Sequence, residues 1–177
     1  SRWTSYGCRY SDRFLKVDID DMDHKTGEPV ETINGKMRSD VVVEMLDALN
    51  VRYNGIRTEH GKHLFFKKPE SMFQLVGQVA KDKNKSDWYC PVGIRMEWKL
   101  PTSDDHIPLQ INGIKREFFK GRIDNDDIDE LPFWLYPMQK SKNKPVNLEF
   151  KEGDRTQPLG GYLFQLALKG FTADQCF

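Results

Sequence analysis

An α+β, two-layer fold is predicted for this 177-residue chain, on three observations. Two segments alternate apolar and polar residues with the period of a half-buried strand. Two others repeat apolar residues at i, i+3, i+4 and i+7, the spacing of a helix with one buried face. A hairpin-like pair of strands lies between the helices, so the order is strand, helix, strand, strand, helix, strand.

Residues 13–20 (RFLKVDID) put Leu15, Val17 and Ile19 on one face and Lys16, Asp18 and Asp20 on the other. A polar loop with Gly27, Pro29 and Gly35 follows. Ser39 is placed to cap a helix whose apolar stripe is Val42, Met45, Leu46 and Leu49. Residues 52–58 and 62–67 form the hairpin-like pair, turning around Glu59, His60 and Gly61. Met72, Leu75, Val76 and Val79 mark the second helix. After a polar break at 81–87, residues 92–100 alternate again, with Ile94, Met96 and Trp98 opposite Arg95, Glu97 and Lys99.

This order is the split β-α-β unit of a ferredoxin-like or RRM-like βαββαβ core. In that arrangement the first strand lies between the third and fourth, and both helices cover one sheet face. The apolar strand faces then meet the helices. The polar faces converge on the open side, bringing together Asp18, Asp20, His63, Arg95, Glu97 and Lys99. Beyond the core, HIPLQINGIKREFF reads as an extra hairpin turning at Asn112-Gly113, a strong type I′ signal. An acidic stretch at 124–130 precedes LPFWLYP. Leu159, Tyr162, Leu163 and Leu166 mark a C-terminal helix stopped by Gly170.

Composition narrows the class. Hydrophobic residues are 38% and charged residues 31% of the chain, as in globular proteins. Basic and acidic side chains balance at 27 each, so a nucleic-acid surface must come from local segregation of charge. No apolar run approaches the roughly 20 residues of a membrane-spanning helix. Cys8, Cys90 and Cys176 are odd in number and widely spaced, which indicates neither a disulfide framework nor a zinc site. A cytoplasmic setting is expected.

Asp18 and Asp20, two apart on a strand, leave the same face roughly 6–7 Å apart. That suits Mg²⁺ or Mn²⁺ ions, which take oxygen ligands and sit about 3.5–4 Å apart in two-metal sites. A D-x-D alone also suits a solvated strand face. Glu97, from the neighbouring strand and the same face, supplies a third carboxylate and favours metal. His63 is aimed at these carboxylates, where its imidazole can donate to a nucleotide phosphate. Gly61 would let the backbone come close to that phosphate. Lys99 and Arg95 flank Glu97 and can neutralise triphosphate charge, or in Arg95's case pair with Asp18 and Asp20. Lys62 and Arg57 are weaker candidates. The basic run at 81–85 suits a solvated loop better than a nucleic-acid backbone contact. Phe133, Trp134 and Tyr136 suit packing, while Trp88 and Tyr89 suit either packing or base stacking.

In order and spacing, LKVDID, GKHLFF and MEWK resemble three motifs of the archaeo-eukaryotic primase superfamily, those of its primase-polymerase branch in phages and mobile elements. The motifs are an hDhD strand, a small-x-His strand and an h-D/E-h-K strand. The resemblance implies metal ligation by Asp18, Asp20 and Glu97 and phosphate contact by His63 and Lys99. Glu97 stands where many members have Asp. It further implies a DNA primase or polymerase using nucleoside triphosphates on single-stranded or primed DNA. LPFWLYP and EGDRTQPLGGYLFQLALKGFTADQC look like the junction leading to a C-terminal helicase domain. The expected organisation is a catalytic core at 1–135, lacking part of the family's N-terminal α/β unit, and a linker and helix at 136–177. Thr172 to Gln175 has the form of a capping box close to the end of the chain, as expected of a domain cut from a longer protein. A pure nucleic-acid-binding RRM-like module and another two-metal enzyme, a cyclase or nuclease, are the competing readings.

Overall fold

A computed structural model describes residues 4–30, 32–70, 88–101, 106–122 and 124–139. By its internal contacts the chain divides into units Ser1–Gln139 and Lys140–Phe177. The predicted second and C-terminal helices and the basic run at 81–85 lie outside the described residues. What is described is an α+β arrangement of mostly antiparallel sheets with one α-helix.

Strand β1 (Tyr6–Cys8) precedes the first predicted strand, β2 (Phe14–Asp20). Two short strands, β3 (Thr32–Ile33) and β4 (Lys36–Met37), then lead into helix α1 (Arg38–Ala48). Strands β5 (Asn54–Arg57) and β6 (Gly61–Lys67) follow as an antiparallel pair, closed by a hydrogen bond from the Thr58 amide to the Gly61 carbonyl. After β7 (Trp88–Tyr89) comes β8 (Glu97–Lys99). The chain continues with β9 (Ile107–Ile111), β10 (Ile114–Lys115), β11 (Phe118–Lys120), a 3-10 turn (Phe133–Leu135) and β12 (Met138–Gln139). The turn between β9 and β10 has Asn112 and Gly113 at φ 50° and 84°, both positive as a type I′ turn requires.

The central sheet runs β11-β5-β6-β2-β8, so β2 lies between β6 and β8 and is antiparallel to both. Register fixes which side chains share a face. Val17 lies opposite Leu64 and Trp98, while Asp18 lies opposite His63 and Glu97. Leu15, Val17, Ile19, Leu64, Phe66 and Trp98 form the buried apolar face. Helix α1 covers it, burying Val42 and Leu46. Leu49, the fourth residue of the predicted stripe, is exposed, because the helix ends at Ala48.

Two expectations are corrected. Ser39 does not cap α1. Met37 is the N-cap, and the Asp21 carboxylate supplies the missing acceptor by taking the Ser39 amide at 2.9 Å and the Ser39 hydroxyl. Nor is the polar sheet face open along its whole length. Tyr10, Phe14, Ile56, Phe65, Ile107 and Ile128 form an apolar cluster there, and β1 pairs with β9. The Tyr10 ring meets Phe65 edge-on at 5.7 Å, and its hydroxyl donates to the Lys99 carbonyl at 3.2 Å. Lys16 is buried in this half, its ammonium 5.7 Å from the Tyr10 ring. The uncovered half of the face is the one carrying the candidate site.

Candidate functional site

The site forms where three strands end together. Asp18 and Asp20 come from the end of β2, His63 from β6, and Glu97 and Lys99 from β8. Cross-strand partners on one face stand about 4.5–5.5 Å apart at Cβ, and here Asp18 has His63 on one side and Glu97 on the other. Lys99 Nζ donates to Asp18 Oδ2 at 2.6 Å and lies 3.3 Å from Glu97 Oε2. His63 Nε2 lies 3.2 Å from Asp18 Oδ1, so both Asp18 oxygens are engaged. Nε2 must carry the proton to donate to that carboxylate. Nδ1 is buried with no hydrogen-bond partner among the described residues.

These contacts set the charges. Burial alone would raise the Asp18 carboxyl, but hydrogen bonding and charge from His63, then Lys99, hold it well below the usual carboxylate range. Burial alone would lower Lys99, yet Asp18 and then Glu97 push its ammonium above the ordinary lysine range. Asp20 differs. Burial and the Asp18 charge raise its carboxyl, Glu97 adds to this, and His24 opposes it.

Beside the carboxylates is a concavity lined in part by Asp18, Asp20, His24, Arg38, Arg95 and Glu97. Arg95 and Glu97 therefore reach it as expected. Lys62 does not. Odd and even positions of β6 face opposite ways, and Lys62 falls on the helix side, buried, donating to Ser39 Oγ at 2.6 Å and Asp40 Oδ1 at 2.5 Å. Gly61 has a different reason from the one expected. A Cβ there would collide with the Ile19 carbonyl of β2, so the glycine permits close strand approach. Trp88 and Trp134 are buried, whereas Phe133 is exposed. Trp98 donates its indole N–H to the Leu135 carbonyl at 2.8 Å, tying LPFWLYP to the central sheet.

His24 and Arg38 are the site residues that sequence reasoning missed. His24 is returned to the site by a turn in which Asp23 Oδ1 accepts the Lys25 and Thr26 amides and Gly27 takes a φ of 70°. Its Nε2 lies 3.5 Å from Asp20 Oδ1, and its ring meets His60 at 4.4 Å. The Asp-x-x-Thr-Gly spacing was the available signal for that turn. Arg38, the first residue of α1, donates from Nε to the Asp20 carbonyl at 2.5 Å.

No set of three or more His, Cys, Asp or Glu among the described residues is arranged as a metal cluster. Lys99 bridges Asp18 and Glu97 instead. The donor set nevertheless has the chemistry of a hard-cation site, carboxylate oxygens with crowded charge at Asp20 that a divalent ion would relieve. Asp18, Asp20 and Glu97 are the residues that could hold one. No helix among the described residues is long and apolar enough to cross a membrane. Comparison with protein-family models, curated proteins and solved structures finds no match for this chain.

Proposed function

We propose that this chain is a template-directed DNA primase or polymerase domain, transferring nucleotidyl groups from nucleoside triphosphates during replication of a phage or mobile element. The observation that carries this reading is the alignment of Asp18 between His63 and Glu97, with Asp20 two residues on, at the uncovered end of one sheet face. The β8-β2-β6-β5 strand order supports a ferredoxin-like core.

In this reading Asp18, Asp20 and Glu97 hold Mg²⁺ or Mn²⁺, which when bound would activate a primer 3′-hydroxyl and neutralise the departing pyrophosphate. Lys99 and His63 keep Asp18 ionised and oriented, so that it is ready as a ligand at neutral pH. Lys99, held between Asp18 and Glu97, offsets the negative charge of that carboxylate pair. A single-stranded or primed DNA template and a helicase domain elsewhere in the full protein are the partners this reading expects.

The RRM-like binding module fits less well. It needs aromatic rings exposed on the strand face for base stacking. Here Phe14 and Phe65 on that face are buried in the apolar cluster with Tyr10.

The test is extension of a primed template with labelled deoxynucleotides in Mg²⁺ or Mn²⁺. Extension by the wild type and none by the Asp18→Ala, Asp20→Ala double variant is expected. Equal extension by both would end the proposal. Incubation with a single nucleoside triphosphate separates a cyclase, and loss of labelled primer separates a nuclease.

A further inference from the structure

The fold redistributes the cations that the sequence assigned to nucleotide phosphate. Lys62 is on the helix-covered face, held by Ser39 and Asp40. Lys99 and His63 are both engaged by Asp18. The N-terminus of α1 is not available either, because the Asp21 carboxylate takes the Ser39 amide there. Two guanidinium groups line the concavity beside the carboxylates, that of Arg95, which the sequence already offered to phosphate, from the approach to β8, and that of Arg38 from the start of α1.

Acidic Asp18, Asp20, Asp23 and Glu97 line the same concavity. Such a pocket repels a polyanion unless divalent cations accompany it. Phosphate oxygens turned away from those cations then need donors of their own. Guanidinium suits this role, because its planar fork donates two hydrogen bonds to one phosphate and never deprotonates. Arg38 is also pre-set. It is 4% exposed, and its Nε is fixed on the Asp20 carbonyl, which ties its position to the strand that carries both aspartates.

We infer that Arg38 and Arg95 form the polyphosphate-binding pair of this pocket, gripping the β- and γ-phosphates of a nucleoside triphosphate from its two walls. The inference rests on the nucleotidyl-transfer reading and names the substrate contacts within it. It makes phosphate number, rather than the base, the main determinant of affinity.

The experiment is calorimetric titration of the chain with dATP and with dAMP in Mn²⁺, for wild type, Arg95→Gln and Arg38→Lys, with folding checked by circular dichroism. The wild type is expected to bind dATP at least tenfold more tightly than dAMP, with inorganic tripolyphosphate competing. Each variant is expected to lose about tenfold in dATP affinity, about 1.4 kcal/mol, while dAMP affinity moves less than twofold. A purely structural Arg38 would shift both ligands alike when changed to lysine. An unchanged dATP-to-dAMP ratio in either variant overturns the inference. Should Arg38→Lys fail to fold, Arg95→Gln decides, because the pair requires both. A wild type that binds no nucleotide in Mn²⁺ overturns the nucleotidyl-transfer reading itself, a different outcome from wild-type binding that the variants leave intact.

Discussion

Lys99 donates a 2.6 Å hydrogen bond to Asp18, joining the ends of two adjacent strands through the least exposed carboxylate of the site. Replacing Lys99 by Met leaves Asp18 with His63 alone, in a setting only 10% exposed. Removing one partner of a fully buried pair costs about 3–5 kcal/mol. Lys99 is itself 30% exposed, which reduces the expected loss to about 2 kcal/mol. Urea unfolding measures it. Nucleotide incorporation is expected to fall roughly a hundredfold, the scale of losing one electrostatic stabiliser.

The same pair sets a pH window. Asp18 is held below its ordinary value, so its contribution is complete above about pH 4 and drains away as pH falls through the lowered folded value. Lys99 is held above its ordinary value, so its contribution is complete below about pH 10 and is lost as pH rises through the raised one. In chelator, the difference in melting temperature between wild type and Lys99→Met should be flat from about pH 5 to 9 and shrink outside it. A difference that varies steadily across that window would contradict the assignment.

Asp20 has the opposite sign. Its carboxyl is raised by burial and by Asp18, so ionised Asp20 destabilises the fold at neutral pH. Asp20→Asn should therefore melt at a higher temperature than wild type in chelator at pH 7. Adding Mn²⁺ should raise the wild-type melting temperature and leave the variant's unchanged. Scanning calorimetry with and without the ion checks both.

Gly61→Ala places a methyl group against the Ile19 carbonyl, a backbone atom that cannot turn aside. The β2-β6 ladder must part there, one residue from Asp20. A loss of about 3 kcal/mol in denaturant unfolding is expected, at the upper end for overpacking.

Much of this was legible in the chain because strand register converts spacing into faces. Once residues 13–20 and 62–67 alternate, Asp18 and His63 must share a side and Lys62 must face away. The covering of the other half of that face was not legible. Tyr10, which follows β1, and Ile107, which opens β9, are 97 residues apart in the chain yet share one cluster, and local periodicity carries no record of such a meeting. The helix start was misread for a related reason. Ser39 has the chemistry of a cap, but Asp21, next after β2, accepts its amide and hydroxyl, and the helix starts one residue earlier at Arg38, whose side chain reaches the site.

The Asp21 contact is also testable. Asp21→Ala removes the acceptor of the Ser39 amide and hydroxyl. A loss of about 1–2 kcal/mol is expected from the cap alone, read by the helical circular-dichroism signal during thermal unfolding.

Manganese uptake followed by electron paramagnetic resonance goes straight to the carboxylates. Saturable binding by the wild type is expected, weakened at least tenfold by Asp18→Asn and by Glu97→Gln, since each removes a charged oxygen ligand. Uptake that both variants leave unchanged would place the cations elsewhere and contradict a shared site at Asp18, Asp20 and Glu97.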